Sequence, residues 1–369
     1  VRILYGLCGI GMGHATRSKV SIAHLRSRGH DVLAFAPGSA FAPIAQAFPG
    51  RAIETAGFAM RTKEGELDPG DVLRFNVSRL PEMLARNARA WHVAKEFRPD
   101  AVVTDHDVFS WLYAKACDLP IISIDNSQIA ARCVLNPAIV SKFAAGIATL
   151  ASRVAMKAPD CAHYVVTSFY HPPLRRDAAE HTTLVPPILR GSVLRQLALP
   201  RRKRDFVLVY KSFASSSEDR DLLAAMADFS RVRFVVYGAD KTALPPNCEP
   251  RSVSEDAFVR DLAQARAVVS NGGMSLIGEA LAFGTPVYAV PIRGQYEQAM
   301  NACHLAALGY GAASERFDAA SLGSFLARAD DFARAVASKA QHDGNARLYA
   351  LLDRFFGAPR RRGMLGPPS

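Results

Sequence analysis

Two glycine-bearing stretches hold the residue types that do chemistry. The first is "LCGIGMGHATR", Leu7–Arg17, which follows an apolar strand pattern and brings an imidazole, His14, to the start of a helix. A dinucleotide clamp would need a third glycine where His14 stands. It would also need an acidic residue closing the next strand, where Phe35, Ala36 and Pro37 stand. The stretch therefore reads as a glycine turn presenting a titratable base. Gly11 and Gly13 let the backbone approach a phosphate or an acceptor. Arg17, one helical turn past His14, either meets an anionic acceptor or is a surface arginine.

The second stretch is "VVSNGGMSLIGEALAFGTPVYAVPIRGQYEQAMNA", residues 268–302. A buried strand ends at Ser270, Asn271-Gly272-Gly273 turn the chain, and a helix is predicted over Met274–Phe283, stopped by Gly284. Two glycines and a helix N-terminus make an anion site, to which Met274 belongs by position and Ser275 adds a hydroxyl. Glu279, one turn beyond Ser275, suits a ribose diol. Glu297 and Gln298, near the next helix start, suit sugar hydroxyls. In the loop after "FVLVY", Lys211 is placed to reach a phosphate or the acceptor.

These elements must sit on parallel sheets. Short β-branched runs alternate with helical stretches in two series, the signature of doubly wound α/β layers. The first series covers residues 1–185 and reads as a Rossmann-like domain. A proline-containing and then basic stretch, 186–204, reads as a linker (the change of texture begins at Thr182). The second series, 205–336, reads as a second Rossmann-like domain. A helix over 337–356 is expected to pack back on either half, and 357–369 reads as a flexible tail.

In this order of elements the sequence resembles the GT-B glycosyltransferases, in particular the branch containing MurG and the UDP-glucuronosyltransferase-like enzymes. The carriers are "GIGMGHATR", "VVTDHD" at Val102–Asp107, "SNGGMSLIGEALAFGTPVYAVP" and "EQAMNA". The resemblance implies two Rossmann-like domains facing across a cleft, 1–185 binding the acceptor and 205–336 the nucleotide sugar, and a hexosyltransferase with a nucleotide-diphosphate sugar donor, UDP favoured. Gly272, Gly273 and Ser275 would bind the diphosphate, Glu279 the ribose, and Glu297 and Gln298 the transferred sugar. Asn271 departs from the His or Arg common at its position.

Retaining enzymes of this fold tend to carry two glutamates here, and the position of the first is Asn271, so inversion is expected. Inversion needs a base, and His14 at a strand's carboxyl end fits. Asp105, closing the strand "AVVTD", would orient its imidazole, with His106 and Asp107 as neighbours able to share the task. No metal or cofactor is expected, because a helix N-terminus and cations can hold the leaving diphosphate. The alternatives are a sugar-nucleotide epimerase of the same fold and a non-catalytic nucleotide-sugar-binding protein.

Composition limits the partners. The chain carries 45 Lys and Arg against 34 Asp and Glu, net +11, with basic clusters at 201–204 and 360–362. No nucleic-acid-binding pattern accompanies them, so no nucleic acid is expected. Six scattered cysteines without a C-x-x-C pair suit reduced thiols and a cytoplasmic protein. No leader or transmembrane span is expected. The apolar stretch Ile139–Met156 reads as a core helix, with a role on a membrane or over a greasy acceptor as the alternative. Peripheral contact with the inner face of the membrane is thus left open, as is the acceptor: a lipid, a natural-product aglycone or a saccharide. The polar segment Gly57–Pro69 is expected to line the cleft.

Overall fold

The computed structural model describes residues 1–59, 68–211, 217–239, 244–252, 254–339 and 343–357. The first sheet has seven strands: β1 (Arg2–Leu7), β2 (Asp31–Pro37), β3 (Ala52–Thr55), β4 (Ala101–Asp105), β5 (Ile121–Asp125), β6 (His163–Thr167) and β7 (Thr182–Val185). The second has six: β8 (Val207–Tyr210), β9 (Phe234–Tyr237), β10 (Cys248–Arg251), β11 (Ala267–Ser270), β12 (Val287–Ala289) and β13 (Gly311–Ala313). Both sheets are parallel, in the orders 3-2-1-4-5-6-7 and 10-9-8-11-12-13.

The strand order reverses between β1 and β4 and again between β8 and β11. Connections leaving the two central strands diverge there, opening a crevice at their carboxyl ends. Register places Leu7 opposite Asp105 at one crevice and Tyr210 opposite Ser270 at the other. Both candidate sites lie at these switch points. β4 and β5 are buried along their whole length, which is why they read as unbroken apolar runs.

Three differences from the sequence reading have local causes. Thr182–Val185, where the linker texture begins, is β7, paired in parallel with β6. Within 186–204 the chain forms a helix, Gly191–Leu197, that packs on the Glu255–Gln264 helix of the second domain, with Val193 fully buried. The expected 337–356 helix is two helices, Ala329–Lys339 and Asn345–Phe356. The second starts after Gly344, where the chain crosses the interdomain connection: a Cβ there would lie 2.0 Å from the Pro186 carbonyl oxygen. Asn345 then holds both backbone groups of Leu189, at 2.9 and 2.7 Å.

The Asn345–Phe356 helix packs on the first domain. Leu348 and Leu352 join the core around Ile3, Tyr5 and Ile22, and Tyr349 stacks on His24 at 4.1 Å. The run Pro137–Lys157 is long and apolar enough to cross a membrane by composition, with 22% of its window buried. It corrects the core-helix reading by half. Gly146, Ile147 and Val154 face inward, with the Tyr296 ring seated over Gly146, and the exposed positions are largely alanine, serine and threonine. This packing belongs to an apolar cluster continuous between the domains, from Ile129, Ile147 and Tyr170 to Leu208, Ile277 and Met300.

Candidate functional site

β1 leaves the sheet through Gly9, whose Cβ would lie 2.3 Å from the Pro37 carbonyl oxygen, and Gly11, at φ 73. Only glycine meets both demands without strain. The helix Met12–Ser27 begins at once, with His14 in its first turn. His14 Nδ1 lies 2.8 Å from Oδ1 of Asp105, which closes the neighbouring strand β4 and is fully buried. A carboxylate has no proton to offer, so this contact is satisfied by Nδ1–H. That leaves Nε2 as the proton acceptor, the state a general base requires.

Asp105 serves more than one partner. Arg17 donates from Nε to Oδ2 at 2.7 Å and from Nη2 to Oδ1, Ser18 Oγ donates to Oδ2 at 3.1 Å, and Arg17 Nη1 donates to Asn126 Oδ1 at 2.7 Å. Burial pushes the Asp105 carboxyl upward, but Arg17 and His14 outweigh it and hold the group below the usual carboxylate range. Arg17 is 3% exposed. It is neither a surface arginine nor an acceptor contact; it neutralises a buried carboxylate, and this corrects both expectations for it. Arg17 Nη2 also stands 2.7 Å from His14 Nδ1; with Nδ1 protonated this is an approach of two donors that share Asp105 Oδ1, not a hydrogen bond between them.

A second imidazole stands beside the first. His106 adopts a left-handed backbone, φ 58, uncommon for a residue with a side chain, and its ring lies 6.0 Å from that of His14. Its Nδ1 pairs with Asp125 Oδ2 at 2.8 Å, and Lys157 Nζ approaches its Nε2 at 2.6 Å. Asp107 does not share the base's task. It caps the Val108–Ala116 helix by accepting from the Ser110 N–H at 2.8 Å.

On the opposite side, β11 ends at Ser270 and Gly272 turns at φ 83, where a Cβ would lie 3.2 Å from the Gln298 carbonyl oxygen. The helix Met274–Ala282 follows, its N-terminus bare of acidic residues and of any side-chain cap. Every residue of it is buried except Ser275. The Met12–Ser27 helix is equally bare at its N-terminus. The two starts meet: a Cβ on Gly13 would lie 2.8 Å from Ser275 Oγ. Two sets of free N–H groups and two positive dipole ends converge there, an arrangement suited to an anion.

Glu297 bridges the domains, accepting from Asn126 Nδ2 at 2.8 Å and Ser127 Oγ at 2.6 Å. Hydrogen bonds therefore run unbroken from Glu297 through Asn126, Arg17 and Asp105 to His14. The other expected donor residues have structural partners. Asn271 donates to the Val290 carbonyl at 3.0 Å, and Gln298 Oε1 accepts from Ile292 N–H at 3.0 Å. Lys211 is buried in an ion pair with Asp219, close to the Phe317 ring. Glu279 accepts from Arg190 Nη2 at 2.6 Å, while its buried Oε1 has no hydrogen-bond partner among the described residues. Burial raises the Glu279 carboxyl above its usual range although Arg190 opposes the shift.

Asn126, Ser127 and Lys157 are site residues that the sequence reading missed. Asn126 and Ser127 follow "IISID", whose acidic strand end repeats the form of "AVVTD", and that was the available signal. A cavity of about 480 Å³ opens beside the glycine turn, between Gly9–Gly11 and residues including Phe58, Arg79, Glu82 and Arg86. Of the expected cleft-lining segment Gly57–Pro69, the start lines this cavity and residues 60–67 lie outside the described residues. Among the described residues no group of three or more His, Cys, Asp or Glu is arranged to hold a metal ion.

The family model described as Glycosyl transferase family 1 matches residues 1–330. A curated relative, an uncharacterized glycosyltransferase of Methanosarcina acetivorans, is 25% identical over 337 residues, covering 84% of this chain and 85% of its own. Among solved structures, a spinosyn rhamnosyltransferase complexed with spinosyn aglycone superposes with a TM-score of 0.63 at 17% identity, covering 96% of this chain and all of its own. A calicheamicin glycosyltransferase gives 0.61 at 20% identity, over 98% and 99%. The fold is that of these two-domain GT-B structures.

Proposed function

The chain belongs to Glycosyl transferase family 1, and from that premise we propose an inverting, metal-independent hexosyl transfer from a nucleotide-diphosphate sugar, UDP favoured, to an acceptor hydroxyl. The observation that carries the reading is the meeting of Gly13 and Ser275, one residue from the base: it sets the anion site of one domain against the imidazole of the other. The MurG and UDP-glucuronosyltransferase-like branch is the one whose motifs the chain resembles, and the reading takes its donor class from there.

The donor diphosphate lies between the two helix N-termini, with Ser275 Oγ as an additional donor. Their dipoles stabilise negative charge as it grows on the leaving group. Glu297, reached by Asn126 and Ser127, faces the transferred sugar. The acceptor hydroxyl enters beside the glycine turn and gives its proton to His14 Nε2 as its oxygen attacks the anomeric carbon. The bond to the diphosphate breaks on the opposite face. Asp105 keeps Nδ1 protonated and stabilises the imidazolium that forms, while Arg17 prevents the carboxylate from taking that proton. The chemistry of the acceptor remains that of a hydroxyl on a lipid, an aglycone or a saccharide. The similar solved glycosyltransferases, one with a spinosyn aglycone bound, favour an aglycone.

The test is turnover of α-linked UDP- and dTDP-sugars with pooled aglycone and saccharide acceptors, followed by release of nucleoside diphosphate and by the anomeric signal of the product. The reading expects a β-linked product that requires acceptor and is abolished by His14→Ala. An α-linked product, or a new sugar nucleotide formed without acceptor, would overturn it.

A further inference from the structure

The cavity beside the glycine turn has walls of a definite chemistry. One side is the carboxyl edge of the first sheet: the turn Gly9–Gly11 after β1, Pro37 at the end of β2, and Glu54 and Thr55 at the end of β3. Opposite stand the helices Pro69–Ser78 and Leu80–Phe97, with Arg79 at their junction and Glu82 and Arg86 on the second. Two asparagines of these helices fix the segment between. Asn76 exchanges hydrogen bonds with the backbone of Ala59 at 2.9 and 2.8 Å, and Asn87 with that of Ala56 at 3.0 Å each. Phe58 lies between the two clamped alanines, lines the cavity and is 47% exposed. A wall already held by its own hydrogen bonds loses little freedom when a ligand enters.

The charged lining is a chain of alternating groups. Arg86 Nη1 lies 2.9 Å from Glu54 Oε1 and Arg86 Nε 3.1 Å from Glu82 Oε1, while Arg79 Nε approaches Glu82 Oε2 at 3.8 Å. Two carboxylates against two guanidiniums leave no net charge among the described lining residues. Their side chains are 28% to 48% exposed, and pairs so exposed contribute little to stability. What they offer the cavity is a dense set of N–H donors and carboxylate acceptors. An apolar acceptor end would strip water from these groups and return no hydrogen bonds. An anionic end would find no surplus cation, because each guanidinium already faces a carboxylate. A ring of vicinal hydroxyls can donate to the glutamates and accept from the arginines, and its C–H face can cover Phe58.

We propose that this cavity takes a terminal, uncharged sugar ring of the acceptor. Glu82 and Arg86 bind the ring's hydroxyls, and Phe58 lies against its apolar face. The volume of about 480 Å³ is that of a small-molecule site, for which roughly 300–1,000 Å³ is usual. The glycine turn that forms one side leads directly into the helix start that carries His14, so a ring seated here stands next to the base's own element. The inference rests on the transfer reaction proposed above and narrows its acceptor class. A free saccharide and a sugar already attached to an aglycone present the same ring, and the arms of the experiment distinguish them.

The test is acceptor binding by the full chain without donor, followed by saturation-transfer NMR and calorimetry, so that no turnover is needed. The probes are neutral phenyl hexosides of gluco, galacto and manno configuration, the matching free disaccharides, phenyl glucuronide and phenol. Wild type is expected to bind a neutral sugar about tenfold or more tightly than the glucuronide or phenol. The better of hexoside and disaccharide then tells an aglycone-borne ring from a free one. Phe58→Ala and Glu82→Gln should each weaken that binding about tenfold. Leu84→Ala, an exposed position of the same helix outside the cavity lining, should not. Melting temperature checks that each variant is folded, and UDP is titrated in parallel. Wild type that binds no neutral sugar, a preference for the glucuronide or phenol, or unchanged binding by both folded cavity variants overturns the proposal. Sugar binding by a protein that binds no nucleoside diphosphate keeps this assignment and overturns the transfer reaction; the reverse result keeps the reaction and overturns the assignment.

Discussion

His14 Nδ1 and Asp105 Oδ1 meet at 2.8 Å across 91 residues of sequence, and Arg17 holds the same carboxylate from its other side. The pair therefore has separable roles. His14→Ala removes the base from a partly exposed position and should lower kcat about 100- to 10,000-fold with a small change in melting temperature. Asp105→Asn leaves the buried Arg17 guanidinium with only the more distant Asp125 carboxylate, 3.5 Å away, as a paired counter-charge. It should lower both activity and stability, the latter by about 3–5 kcal/mol. Steady-state kinetics beside thermal melting distinguishes the two, and equal loss of stability in both variants would contradict this division.

A methyl on Gly13 would lie 2.8 Å from Ser275 Oγ and 3.5 Å from its Cβ, so the Ser275 hydroxyl must turn away to admit it. Gly13→Ala should therefore turn the Ser275 hydroxyl out of the anion site and weaken nucleoside diphosphate binding about tenfold, an effect of roughly 1.4 kcal/mol. Adding Ser275→Gly removes that hydroxyl altogether, so the double variant should bind no more weakly than Gly13→Ala. Calorimetric titration of the single and double variants measures this. Unchanged affinity in Gly13→Ala would place the diphosphate elsewhere.

Glu297 is shared between the domains through Asn126 and Ser127. Sugar hydroxyls entering at Glu297 must replace or extend those contacts. Glu297→Gln keeps the shape but loses the charge-assisted bonds, so donor KM and kcat should both worsen, with kcat/KM falling about tenfold. Asn126→Ala should act on kcat as well, because it also releases Arg17 Nη1. Kinetics with saturating acceptor separates these effects.

Acid should weaken the first domain through its buried carboxylates. Burial pushes Asp125 up, but His106 and Arg17 together hold it far below the ordinary range, and Asp105 is shifted in the same direction. The unfolded chain therefore binds protons first. The stabilisation is complete above an unfolded value of about 3.9 and is lost progressively as pH falls below it toward the depressed native value. Melting temperature should drop steeply through that window in wild type and less steeply in Asp125→Asn, whatever that variant's starting stability.

Much of the fold was legible because β1, β4, β5, β8 and β11 are buried on both faces and so read as continuous apolar runs. β10 and β13 were not, since "CEPR" and "GAA" are short edge strands, one carrying proline and the other glycine. In the site, the glycine turns and the strand-end Asp105 announced themselves locally. The burial of Arg17 did not, because its partner lies 88 residues away and an exposed arginine has the same letter. Glu279 posed the same problem: its helix spacing suggested a ribose contact, while its observed partner Arg190 comes from the interdomain segment.

The most direct measurement is calorimetric titration of the protein with UDP, dTDP, GDP and NAD, in wild type and in Ser275→Ala. Ser275 is the one residue of its helix left outside the core, so the substitution tests the facing helix N-termini without disturbing packing. The expected result is one-site binding that prefers a single nucleoside diphosphate, UDP foremost, and weakens about tenfold in Ser275→Ala. Binding to none of the diphosphates, or binding indifferent to the loss of that hydroxyl, would contradict the donor site and the transfer mechanism built on it.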